Sequence, residues 1–171
     1  VVAVMLENRL EQLVLLAALA KLGAVSALIN TTQRGKVLTH SLNLAKPSFF
    51  VVGEELFAAF TEVRAEVAGA TQGCYWLADR DTLQDTGEAP AGWRNLAECS
   101  SGQSEANLPD SQQVKLKDAL FYIYTSGTTG LPKASITSHG KWIKAYGGFG
   151  HAGLALNHTD VLYLTLPLYH S

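Results

Sequence analysis

Residues 1–6, Val-Val-Ala-Val-Met-Leu, are an unbroken apolar run, the pattern of a strand buried on both faces. Asn8 is placed to cap a helix over residues 10–22, and Gly23 to end it. Residues 25–29 read as a second strand. Asn30, Thr31 and Thr32 offer caps for a helix over 34–45, with Val37, Leu38, Leu42 and Ala45 on one face and Pro47 as its stop. A third strand is predicted at 49–52, a third helix at 54–67 and a fourth strand at 74–77. Strand alternating with helix implies parallel strands joined by right-handed crossovers. The fold class is therefore α/β: a doubly wound, largely parallel Rossmann-like sheet with helices on both faces.

The pattern changes at residues 79–117, where Asp, Gln, Gly, Ser, Pro and Asn replace the apolar runs. This predicts a long polar excursion, anchored to the core by Trp93 and Leu96. Such loops are uncommon in compact domains. Order returns with an apolar strand at 119–124, an alternating segment at 134–138, a helix from Ser138 or His139 to about His151, and a buried strand at 160–166. Trp142, Tyr146 and Phe149 recur at helical spacing and are expected in the core. Arg34 and Lys36 are expected on a solvated helix face. No internal repeat is visible.

Composition narrows the classes. The 171 residues carry a net charge of −2 and 47% hydrophobic residues, which suits one globular domain. A chain of this length buries about 70% of its unfolded surface. The near-neutral balance gives no electrostatic case for nucleic acid or an acidic membrane surface. Cys74 and Cys99 have no metal-like or redox-like spacing and are read as unpaired thiols. His139, His151 and His158 follow no zinc spacing. The apolar stretch at 13–29 is interrupted by Lys21 and Gly23 and falls short of the ~20 residues a membrane span needs. The chain begins Val-Val-Ala-Val and stops at Ser171, just after a motif, so it reads as a piece of a longer enzyme.

The chemistry concentrates in Tyr122-Ile-Tyr-Thr-Ser-Gly-Thr-Thr-Gly-Leu-Pro-Lys133. Gly127 and Gly130 permit close backbone approach, and successive N–H groups can point at one anion. The hydroxyls of Thr125, Ser126, Thr128 and Thr129 can donate to phosphate oxygens or ligate a cation, and Lys133 adds a mobile positive charge. A Walker A loop is excluded by spacing, because that motif needs Gly, four residues, then Gly-Lys-Ser/Thr and a following helix. Here Pro132 precedes Lys133, and the chain continues into an alternating, strand-like segment. The loop is a phosphate loop set between two strands.

Tyr124-Thr-Ser-Gly-Thr-Thr-Gly-Leu-Pro-Lys133 resembles the phosphate loop of the adenylate-forming, AMP-binding enzymes: acyl-CoA synthetases, peptide-synthetase adenylation domains and luciferases. Ala134 stands where most of that superfamily has Gly. Lys21-Leu-Gly-Ala-Val-Ser-Ala-Leu-Ile-Asn30 and the Tyr122-Ile123 pair resemble the branch of fatty acid transport proteins and very-long-chain acyl-CoA synthetases. The resemblance implies that residues 1–171 are part of an N-terminal AMP-binding domain, with 79–117 a variable connection. It implies a carboxylate attacking the α-phosphate of ATP, then coenzyme A displacing AMP. Tyr124, Thr125, Ser126, Gly127, Thr128, Thr129, Gly130 and Lys133 would hold the phosphates, and Thr125 would meet Mg²⁺. The implied partners are fatty acid, ATP and CoA, with no nucleic acid, in the cytoplasm or on a membrane facing it.

Pro167-Leu-Tyr-His-Ser171 follows the predicted strand at 160–166, which puts His170 where open α/β sheets bind ligands. It resembles the family's next motif, whose aromatic and histidine line the acyl entrance. His170 is thereby a candidate, with Lys133, for catalytic work. Three readings stand: a fatty acid–CoA ligase or another carboxylate ligase of the superfamily; a P-loop NTPase, disfavoured by spacing; and a non-catalytic nucleotide-binding or fatty acid transport module.

Overall fold

The computed structural model of the chain describes residues 1–70, 73–79, 87–107, 113–126 and 130–170. The strands are β1 (Val2–Met5), β2 (Ser26–Leu28), β3 (Phe49–Gly53), β4 (Cys74–Leu77), β5 (Arg94–Asn95), β6 (Ala119–Thr125) and β7 (Lys133–Ser138). The helices are α1 (Leu10–Lys21), α2 (Gly35–Ala45), α3 (Phe57–Val63), α4 (Leu96–Ser100) and α5 (His139–Ala145). Among the described residues the strands form one sheet in the order β5-β4-β3-β1-β2-β6-β7. Every neighbouring pair is parallel except β6 and β7, which run antiparallel. The architecture is the expected doubly wound α/β sheet.

Alternation along each strand builds two cores. Ala3 and Met5 of β1 join Phe50 and Val52 of β3 against Leu38 and Leu42 of α2 and Phe60 of α3. Val2 and Val4 point to the other face, against Leu16 and Leu19 of α1. Burying each such large side chain contributes about 1.5–3 kcal/mol relative to leaving it in water. The ends of β1, β3 and β4 are tied by Arg9. Its guanidinium pairs with Glu55 at 3.2 Å and Asp79 at 3.3 Å and donates to the Ala78 carbonyl at 3.0 Å.

The polar excursion carries more structure than its composition suggests. It contributes β5 and α4, and Asn95 caps α4 by accepting from Ala97 N at 3.1 Å and Glu98 N at 3.4 Å. Trp93 is the expected anchor, set edge-on to Phe57 and Phe60 at 5.2 and 5.4 Å with the Arg64 guanidinium over its ring. Leu96 packs on the α1 face of the sheet.

Several expected elements differ. Asn8 does not cap α1; Arg9 stands at that position without a side-chain cap. Asn30 folds into a local turn, accepting from Thr32 N and Oγ1 at 2.8 Å, and leaves α2 to begin behind Arg34. Val37 is exposed, and Ser41 takes its place on the buried face of α2. The third helix is true α only over α3, flanked by 3-10 turns. The last predicted helix is α only over α5; Tyr146–Gly153 widens into a π-helical segment, with Leu154 N bonded to Phe149 O at 2.9 Å. Gly147, Gly148 and Gly150 lower the cost of leaving the α geometry. Trp142, Tyr146 and Phe149 are exposed rather than core, although Trp142 meets Phe121 edge-on at 5.4 Å.

The predicted buried strand at 160–166 is the largest departure. The segment joins no ladder, and Val161 and Tyr163 are 95% and 91% exposed. An apolar run becomes a strand only where a sheet edge accepts its backbone. Here the side chain of Asn8 takes that backbone, at Leu166.

Candidate functional site

The candidate phosphate loop is the connection of a hairpin. In the β6–β7 ladder Thr125 lies opposite Lys133, and this pair closes residues 126–132. Residues directly opposite in an antiparallel ladder keep their Cβ atoms about 4.5–5.5 Å apart. The hydroxyl-bearing end of β6 and the lysine that opens β7 are therefore held as neighbours by backbone pairing. Thr125, Ser126, Gly130 and Lys133 are all exposed at this rim. Gly130 has φ +83°, the left-handed region that glycine adopts without steric cost. Gly127, Thr128 and Thr129, also expected to contact phosphate, lie outside the described residues.

The rim sits at the carboxyl end of the parallel strands. β6 pairs with β2, whose chain exits through Ile29 to Asn30 and Thr31. Open α/β sheets bind ligands at this end because the loops and the helix N-termini gather there. Side chains alternate along β6: Phe121 and Ile123 face the α1 core, while Tyr122 and Tyr124 face the α2 core. Continuing that alternation puts Thr125 on the α1 side.

Tyr124 departs from its expected role. Its side chain is 7% exposed, and its hydroxyl donates to the Ser41 carbonyl of α2 at 2.8 Å. Burial, and secondarily the neighbouring Tyr122 phenol, pushes the Tyr124 phenol well above its ordinary range. The side chain is committed to the core, so it anchors the strand that leads into the loop instead of reaching a phosphate. The motif's tyrosine could not reveal this, because the same residue type serves both ends.

His170 lies in a 3-10 turn, Leu168–His170, rather than at the end of a strand. The turn contacts β6. Tyr169 is buried on the α1 face of the sheet, and its ring lies 5.0 Å from that of His170, which is exposed. Asn8 ties the turn to the end of β1, accepting from Leu168 N at 2.7 Å and donating to Leu166 O at 2.9 Å. The turn that carries His170 thus rests on the strand that carries the loop.

Sequence reasoning missed His40. Its Nε2 lies 3.0 Å from the Pro132 carbonyl at the loop's exit. His40, Leu44, Tyr122, Leu131 and Pro132 line a groove beside the loop of about 520 Å³. Among the described residues no group of three His, Cys, Asp or Glu could hold a metal. Thr125 is exposed at this rim, and its hydroxyl is a hard oxygen of the kind that Mg²⁺ takes.

The model of the AMP-binding enzyme family matches residues 1–171. The medium/long-chain-fatty-acid–CoA ligase FadD6 of Mycobacterium tuberculosis is 37% identical over 174 residues, covering 100% of this chain and 26% of that protein. Long-chain fatty acid transport protein 1 of Rattus norvegicus is 38% identical over 173 residues, with the same coverage of 100% and 26%. Among solved structures, ATP-bound MatB from Rhodopseudomonas palustris superposes with a TM-score of 0.74 at 26% identity, over 99% of this chain and 30% of that one. A long-chain-fatty-acid–CoA ligase from Archaeoglobus fulgidus shares the fold, with a TM-score of 0.73 at 21% identity over 99% of this chain and 31% of its own.

An open α/β sheet with a hydroxyl- and lysine-bearing hairpin loop at its ligand-binding end is thus the class of the chain. It belongs to the AMP-binding enzyme family. It spans about a quarter of the length of the curated relatives it matches.

Proposed function

We propose that this chain is the early part of the N-terminal domain of an acid–thiol ligase. The ligase activates a long-chain or very-long-chain fatty acid with ATP, forming an acyl-adenylate and then the CoA thioester. The observation that carries this reading is the Thr125–Lys133 closure, which sets a lysine and exposed hydroxyls at the rim of a parallel sheet in a member of this family. The relatives' names support the fatty acid as substrate.

The first step brings an anion to a polyanion and leaves pyrophosphate with added charge. Catalysis is then chiefly positioning and electrostatic stabilisation. Thr125, Ser126, Thr128 and Thr129 donate hydrogen bonds to β- and γ-phosphate oxygens. Gly127 and Gly130 let backbone N–H groups approach. Lys133 offsets the charge that grows on the departing pyrophosphate. Thr125 would hold Mg²⁺, which would supply further neutralisation of phosphate charge. His170, on the turn against β6, orients the substrate carboxylate toward the α-phosphate.

A second reading has a specific support: several relatives are long-chain fatty acid transport proteins. Conversion to the thioester would trap a fatty acid that has crossed a membrane. No helix among the described residues is long and apolar enough to cross one. The separating experiment is ATP–pyrophosphate exchange by the full-length enzyme. Exchange that requires an added fatty acid supports the ligase. Carboxylate-independent phosphate release or no exchange at all refutes it, and no exchange with intact fatty acid binding favours the transport module.

A further inference from the structure

We propose that His40 is a positioning residue for the phosphate loop, holding its exit strand to α2 through the Pro132 carbonyl. The inference rests on the reading of residues 125–133 as the ATP phosphate loop and adds to it the support that keeps the loop in place.

The geometry is specific. A carbonyl oxygen only accepts, so the His40 ring must carry a proton on Nε2 to make the 3.0 Å contact. Pro132 has no N–H to give a ladder, and the last β6–β7 pair is Thr125 with Lys133. The Pro132 carbonyl therefore sits just outside the sheet, and His40 bonds it there. The next helix residue, Ser41, uses its carbonyl to take the Tyr124 hydroxyl at 2.8 Å. Tyr124 precedes Thr125 and Pro132 precedes Lys133. Two consecutive residues of one helix thus hold both stems of the loop.

The helix is a firm support. Leu38 and Leu42, on either side of His40 and Ser41, are 0% exposed and packed in the α2 core. Lys133 follows directly on the carbonyl that His40 holds. Its ammonium group works from a flexible stem, so the position of its backbone sets where the charge can reach. Loss of the His40 bond loosens the Pro132 end of that strand, next to the Thr125–Lys133 pair, while leaving every phosphate-contacting group of the loop in the chain.

The test compares His40→Leu, His40→Gln and Lys133→Ala in the full-length enzyme. Direct ATP binding is measured by calorimetry, and KM and kcat by ATP–pyrophosphate exchange. His40→Leu should weaken ATP binding and raise the KM for ATP by about two- to tenfold, the usual effect of one lost hydrogen bond. The KM for fatty acid should change less than twofold. His40→Gln, whose amide can reach the same carbonyl, should recover most of the loss. Wild-type ATP affinity in His40→Leu, beside a weakened Lys133→Ala, overturns the inference and leaves the proposed reaction standing. Equal loss in the Leu and Gln variants, with a matching fall in thermal stability, also overturns it. Absence of fatty-acid-dependent exchange in the wild type refutes the ligase reading; weaker ATP binding in His40→Leu alone would still uphold the inference.

Discussion

Asn8 grips Leu168 across most of the chain: its Oδ1 accepts from Leu168 N at 2.7 Å, while its Nδ2 donates to Leu166 O at 2.9 Å. One amide thereby fixes the 3-10 turn of His170 to the end of the central strand. Asn8→Ala should accelerate hydrogen exchange at the Leu168 amide by roughly two- to tenfold, because an exposed hydrogen bond contributes about 0.5–1.5 kcal/mol. Asn8→Asp keeps the acceptor and loses the donor, so its effect should fall between. Unchanged exchange in Asn8→Ala would show that the turn is held by Tyr169 packing alone.

The Tyr124–Ser41 contact makes a pH-dependent prediction. Burial holds the Tyr124 phenol protonated in the folded protein above its ordinary range. In the unfolded chain it ionises near pH 10. Its contribution is therefore complete below about pH 10 and declines as the pH rises further, because the unfolded state then releases a proton that the folded state keeps. Tyr124→Phe should cost about 1 kcal/mol at neutral pH and flatten the alkaline limb of the unfolding curve. Urea titrations from pH 7 to 11 check both. An alkaline slope as steep in Tyr124→Phe as in the wild type would place that slope on other groups.

The two thiols should differ in reactivity. Cys74 is buried in the α2 core, and burial raises its thiol above the usual range despite the opposing charge of Arg64. Cys99 is exposed on α4. The thiolate is the reactive form. Alkylation with iodoacetamide at pH 8 should label Cys99 well before Cys74, and peptide mass spectrometry would read the order. Equal labelling would mean that the β4–β5 end of the sheet opens readily in the native state.

The alternation of strand and helix was plain in the sequence because each buried parallel strand is a short apolar run bounded by turn residues. β1 to β4 fall where those runs are. The family was legible for a different reason: the glycines, hydroxyls and lysine of residues 124–133 have few other uses at that spacing, and the AMP-binding enzyme family model matches the chain. What remained hidden depends on partners far along the chain. Asn8 has the composition of a helix cap, and only the folded chain brings Leu168 to it. His40 meets Pro132 across 92 positions, with no local pattern to announce it. The run at 160–166 is apolar enough for a strand, but hydropathy carries no information about which edge would receive it.

In the proposed reaction the Thr125–Lys133 hairpin stabilises departing pyrophosphate while a fatty acid is activated. The direct measurement is ATP–pyrophosphate exchange by the full-length enzyme with and without long-chain fatty acid, for the wild type and Lys133→Ala. Exchange should occur only with fatty acid present, and kcat/KM should fall about 10²-fold in Lys133→Ala, the scale of losing one electrostatic stabiliser. Exchange in Lys133→Ala equal to the wild type, or phosphate release indifferent to fatty acid, would contradict it.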